Sequence, residues 1–155
     1  MVWLCLPVYF LHQFEEYIWP GDFVDKYIQV MVGGNKDQMD FLISSSFWIN
    51  VPVIWGGFSI CSILAQYVDL SFGLFNIYFT LIAIFPHFFL FSKVRYNGGL
   101  VASVLLNLPI SVYGLYYYIH NQLIPTHMYF VWLGITLIIW VAFPTIIKKT
   151  ATKKN

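Results

Sequence analysis

The sequence predicts an all-α fold, a single-domain integral membrane bundle of five transmembrane helices with the N-terminus outside and the C-terminus cytoplasmic. Three observations carry this. Apolar residues make up 59% of the 155-residue chain and charged residues only 10%, too few polar groups to cover a soluble globule. The apolar residues fall into five runs. All eight basic residues fall on one side of the resulting topology.

The predicted spans are 1–19, 41–67, 70–92, 98–119 and 126–147. A hydrocarbon core of about 30 Å takes roughly 20 helical residues, and the last four runs meet that length. The first reaches it only if Glu15 and Glu16 lie within the membrane zone. It has no basic start and no small-residue cleavage site, so it reads as a span and not as a removed signal. Trp19-Pro20-Gly21 reads as its stop. Isolated segments in lipid satisfy their backbone only as helices. Lys26 and Lys36 precede the second span, Lys93 and Arg95 separate the third and fourth, and Lys148, Lys149, Lys153 and Lys154 lie in the tail. The positive-inside rule makes that side cytoplasmic, which predicts a multi-pass protein of the cell membrane.

The same composition excludes other classes. The chain is too hydrophobic for disorder, and eight scattered basic residues build no nucleic-acid face. Cys5 and Cys61 lie in apolar runs and read as small apolar residues.

Polar side chains inside a membrane are expensive, so they mark candidate sites. His12, Glu15 and Glu16 fall within about one helical turn and share a face. At about 1.5 Å per residue, they lie roughly 5–10 Å inside the cytoplasmic boundary. His87 on the third span, Asn50 on the second and Asn107 on the fourth fall in the same half of the bundle, which predicts one shared pocket. Asn76, Thr80 and His87 align along one stripe of the third span, a proton or substrate path or a helix-packing face, with packing the favoured reading for Asn76 and Thr80. Gly99, Ser103, Asn107 and Ser111, four residues apart, read as a stripe for close helix approach, with Asn107 turned to the pocket. Asp69, His120 and His127 lie at the opposite boundary and read as solvated.

His12-Gln13-Phe14-Glu15-Glu16 followed by Trp19-Pro20 resembles the signature of the HXXEE-domain family of small membrane proteins. Tyr96-Asn97-Gly98-Gly99 is similar to that family's Tyr-Asn-Pro-Gly turn, with Gly98 in place of proline, and His87 sits where a second histidine is expected. The family's activity is unassigned. The resemblance implies an enzymatic role for its His, Glu and Asn residues.

Three functions fit this layout. The first is a membrane-embedded enzyme, a hydrolase or metalloenzyme. His12, Glu15, Glu16, His87 and Asn50 would carry the chemistry, with Asn97 and Asn107 orienting a lipid or amphipathic small molecule. His12, Glu15, Glu16 and His87 suit a divalent metal, zinc or iron, and they equally suit metal-free acid–base work. The second is a small proton-coupled transporter, for which a homo-oligomer would supply the pathway. The third is an accessory membrane subunit whose polar cluster only packs helices.

Overall fold

A computed structural model of the chain describes residues 1–32 and 46–152; side chains at 28, 31, 32 and 143–152 are not part of that description. Among the described residues the fold is all-helical. After a 3-10 turn at Val2–Leu4 come α1 (Cys5–Tyr17) and α2 (Phe23–Val32). They are followed by α3 (Ser46–Tyr67), α4 (Leu70–Val94), α5 (Leu100–His120) and α6 (Thr126–Thr152).

Among the described residues three helices, not five, are long and apolar enough to cross a membrane: α3, α4 and α5. The predicted first span falls short because the helix proper has 13 residues, about 20 Å at 1.5 Å per residue. The five-span reading counted residues from Met1 to Trp19, which includes the 3-10 turn and the bend after Tyr17. The part of α6 whose side chains are described, Thr126–Ala142, is apolar. Residues 41–45 of the second predicted span, together with Lys36, Lys153 and Lys154 of the charge argument, lie outside the described residues.

α4 is the central helix. Of its most apolar window 67% is buried, against 17% for α3 and 28% for α5. Leu74, Phe75, Ile77 and Phe79 of α4 pack with Ile54 and Phe58 of α3, Tyr9 of α1 and Tyr118 of α5. The outer helices turn Trp48, Ile60, Ile63, Leu105, Tyr113 and Phe130 outward, so the exterior of the bundle is apolar too.

Proline sets the irregularities. Pro52 lies inside a π-helical stretch of α3, Ile49–Gly56, and Pro109 follows another in α5, Ser103–Asn107. Proline has no N–H to donate and its ring crowds the carbonyl four residues back; a local i→i+5 widening relieves both. Pro86 stands four residues after Ile82, where α4 is interrupted between Gly73–Ile82 and Ile84–Val94.

The sequence reading had no helix between the first two predicted spans. α2 occupies that place and packs against the second half of α4. Phe23, Val24, Tyr27 and Ile28 recur at helical spacing, the amphipathic signal that would have found it. A two-ended clasp holds it there. Asp22 Oδ1 accepts the Gly98 N–H at 2.6 Å, and Lys26 Nζ bonds Asp22 Oδ2 at 2.5 Å and the Tyr96 carbonyl at 2.8 Å.

Candidate functional site

The last turn of α1, the second half of α4 and the turn before α5 meet at one buried cluster. His12 and His87 are each 1% exposed and Glu16 6%. Glu16 Oε1 lies 3.1 Å from His87 Nε2 and 3.4 Å from His12 Nε2. The two rings stand edge to face at 88° with centroids 4.7 Å apart. Helical spacing explains the α1 half, because residues four apart share a face.

The other ring nitrogens have acceptors of their own. His12 Nδ1 faces the Gly99 carbonyl at 3.1 Å, with Ser103 Oγ at 3.3 Å. A carbonyl only accepts, so Nδ1 carries the proton and donates. His87 Nδ1 lies 2.8 Å from Asn97 Oδ1. The Asn97 amide donates through Nδ2 to the His87 carbonyl at 3.2 Å, which orients its oxygen toward the ring. Both Nδ1 atoms are therefore donors. With the ring neutral, each Nε2 would present a lone pair to the carboxylate oxygen; with the ring protonated, it would donate to that oxygen. Three acceptors facing one another repel unless a positive charge, a proton or a metal ion, sits among them.

Asn97 and Gly99 make this possible from the turn. Asn97 is fully buried. Gly99 has φ +85°, a conformation that favours glycine. A Cβ there would stand 2.5 Å from His87 Cε1, 2.7 Å from Glu16 Cγ and 3.0 Å from His12 Cε1. Gly98, where the turn motif was expected to carry proline, is nearly as crowded, because its Cβ would meet the Glu15 carbonyl at 2.7 Å.

Glu15 does not join the cluster. It lies about 100° around the helix from Glu16 and serves the N-terminus of α5. Its Oε2 accepts the Ala102 N–H at 2.6 Å, and its Oε1 accepts the Val101 N–H at 3.1 Å and the Tyr96 hydroxyl at 2.9 Å. A carboxylate there satisfies otherwise unbonded N–H groups and complements the helix dipole. Partial desolvation, and then the bond to Glu15, push the Tyr96 phenol up to about 12. The proposed ligand set thus narrows to His12, Glu16 and His87. Among the described residues these are the group whose ligand atoms all lie within 4.8 Å of one another.

The cluster opens into a cavity of about 430 Å³. Tyr9, Phe23, Tyr27, Phe79, Pro86 and Trp140 give it a largely apolar wall. Asn50 lines it as well and donates to the Tyr17 hydroxyl at 2.9 Å, so the structure brings Asn50 beside the cluster but not into contact with it. The Phe23 ring lies tilted at 40° to the His87 ring with centroids 4.7 Å apart; it, Asp22 and Ser103 were missed as site residues. Asn107 is not a cavity residue. It is fully buried one turn beyond Ser103, and neither of its side-chain polar atoms has a hydrogen-bond partner among the described residues. An unmet buried group of this kind costs about 1–3 kcal/mol.

A family model described as "Protein of unknown function with HXXEE motif" matches residues 3–114. The chain belongs to that family. No curated protein and no solved structure matches it. The motif in the family's description falls on His12, Glu15 and Glu16. In this chain its histidine and second glutamate build the buried cluster, while its first glutamate ties α1 to α5.

Proposed function

We propose that this family member is a membrane-embedded metalloenzyme in which His12, Glu16 and His87 hold one divalent ion, zinc or iron, and that it hydrolyses a lipid or amphipathic substrate. One observation carries the reading: two Nε2 atoms and a carboxylate oxygen converge with both Nδ1 atoms already committed to acceptors. That second tier of hydrogen bonds is what orients metal-binding histidines. Tetrahedral coordination at bonds of about 2.0–2.1 Å separates ligand atoms by roughly 3.3 Å, close to the 3.1 and 3.4 Å found here. His12, Glu16 and His87 would hold such an ion, and it would supply Lewis-acid activation of water at neutral pH.

The membrane setting rests on three apolar helices of spanning length and on the apolar exterior. The cavity wall suits an acyl or similar apolar chain, with the reactive group at the polar end beside Glu16. Lys26, Lys93 and Arg95 stand at that end of the bundle, which by the positive-inside rule favours a cytoplasmic placement for it.

The test is metal content followed by turnover. Detergent-purified protein, equilibrated with zinc or ferrous iron and dialysed, is expected to retain one ion per chain. Glu16→Gln is expected to lose roughly 100-fold or more in affinity, beyond the effect of a lost outer-tier partner, with unchanged helical circular dichroism. The loaded protein, incubated with mixed lipid micelles in heavy-oxygen water, is expected to release a product carrying the label. A wild-type protein that retains no ion, or a Glu16→Gln variant that binds as well, overturns the metal centre. A loaded protein that labels no product overturns the hydrolase.

A further inference from the structure

Beyond the cluster, away from the cavity, the interior of the bundle stays polar. On α5 the buried residues Ser103, Asn107 and Ser111 are four apart and share one face. Ser103 touches His12. Further along the same helix, Gly114 lies against Ile77 of α4 and Met1, so this face of α5 looks onto α1 and α4 throughout. From the cluster toward the Asp69 end, α4 and α5 each carry a second buried polar group two turns away, and α1 carries a buried cysteine at the same level. On α1 it is Cys5, seven residues before His12; on α4 it is Thr80, seven before His87; on α5 it is Ser111, eight after Ser103. At about 1.5 Å per residue these offsets are roughly 10–12 Å, so the three form one layer, in which Thr80 Oγ1 has no hydrogen-bond partner among the described residues. Asn107 stands midway. One turn further, Asn76 donates to Ser62 Oγ at 2.9 Å and to the Phe58 carbonyl at 3.1 Å. Beyond it Tyr118 donates to the Leu70 carbonyl at 3.1 Å, next to Asp69.

A packing stripe would satisfy its own polar atoms across the helices. This one does not. Both polar atoms of Asn107, the Ser111 hydroxyl and Asn76 Oδ1 have no partner among the described residues, although Asn107, Ser111 and Asn76 are fully buried. Buried polar atoms left without a protein partner are where internal water binds, each molecule needing two to four polar partners.

We propose that Thr80, Asn107 and Ser111 hold a chain of internal waters that carries protons between the Asp69 end of the bundle and the His12–Glu16–His87 cluster. Each transfer forms one O–H bond as another breaks. Waters and the two hydroxyls accept and donate in turn, and the Asn107 amide holds the waters in line without titrating. A proton entering at one end is balanced by one leaving at the other, so no co-reactant is consumed.

The full chain in phosphatidylcholine vesicles with a trapped pH dye tests this, with valinomycin and potassium clamping the potential. A chelator is present throughout, so the readout does not depend on the metal centre. Wild type is expected to dissipate an imposed pH gradient roughly tenfold faster than Asn107→Leu. Ser111→Ala, too small a change to unfold the bundle, is expected to slow it several-fold. Radiolytic labelling, which oxidises side chains next to bound water, is expected to mark Cys5 in wild type and to lose that mark in Asn107→Leu. Wild-type vesicles no leakier than protein-free ones, both variants conducting like wild type, or an unlabelled Cys5 in wild type overturn the proposal.

Discussion

Replacing Gly99 by alanine separates the cluster's geometry from its chemistry. The backbone there has φ +85°, and an L side chain in the left-handed region costs about 1–2 kcal/mol. The new methyl would also meet His87 Cε1 at 2.5 Å and Glu16 Cγ at 2.7 Å. Neither neighbour is free to retreat, because His87 is held at Nδ1 by Asn97 and Glu16 faces both rings. Overpacking of this kind costs about 1–3 kcal/mol, so the sum is about 2–5 kcal/mol. The strain is shared between unfolding and displacement of the rings. Chemical denaturation in detergent is expected to show a lower midpoint, and calorimetric titration with zinc a weaker affinity. Gly134, whose added Cβ meets nothing within 4 Å, is the internal control. Gly134→Ala in the middle of α6 is expected to be neutral or stabilising by about 0.5–1 kcal/mol, with zinc binding unchanged. A Gly99→Ala protein matching wild type in both midpoint and affinity refutes the argument that this turn clamps the cluster.

Three further outcomes follow from the same contacts. Asn97→Ala frees His87 to rotate and is expected to weaken metal binding by roughly 10–100-fold, read by competition against a chromogenic chelator. Glu15→Gln keeps the shape but removes the charge at the start of α5; it is expected to cost about 1–2 kcal/mol in denaturation while leaving one metal ion per chain. Tyr96 supplies a pH signature. Its phenol is held above the ordinary 10.0, at about 12, so the neutral form is favoured by folding. The stability it contributes is full below pH 10 and is lost as pH rises through about 12. Tyr96→Phe is expected to flatten the stability–pH curve in that window, and an unaltered curve counts against the Tyr96–Glu15 bond.

What the sequence made legible was governed by local periodicity. The four-residue step from His12 to Glu16 put both on one face before any tertiary contact was known, and depth along the helices brought His87 to the same level. Glu15 was misplaced with them because a helical face about 100° wide does not distinguish neighbouring residues. Its destination depends on where α5 begins, which Gly99 decides through a backbone conformation invisible in periodicity. α2 was hidden by its position, an amphipathic segment between longer apolar runs. The first span was over-read because an apolar stretch does not reveal that its first turn is 3-10 and that its helix ends at Tyr17. For Asn76, Thr80 and Asn107, the sequence shows polar groups in an apolar run, but only coordinates show whether each finds a partner.

The adjacent acids of the motif answer to different masters. Glu16 contributes to an internal electrostatic centre and Glu15 to the joint between two helices, through donors that have nothing to do with that centre. A double substitution, or a screen that scores the motif as a unit, would merge an affinity defect with an assembly defect. It would then assign chemistry to a residue whose work is architectural. Single, isosteric changes with separate folding and binding readouts are the minimum needed to tell the neighbours apart.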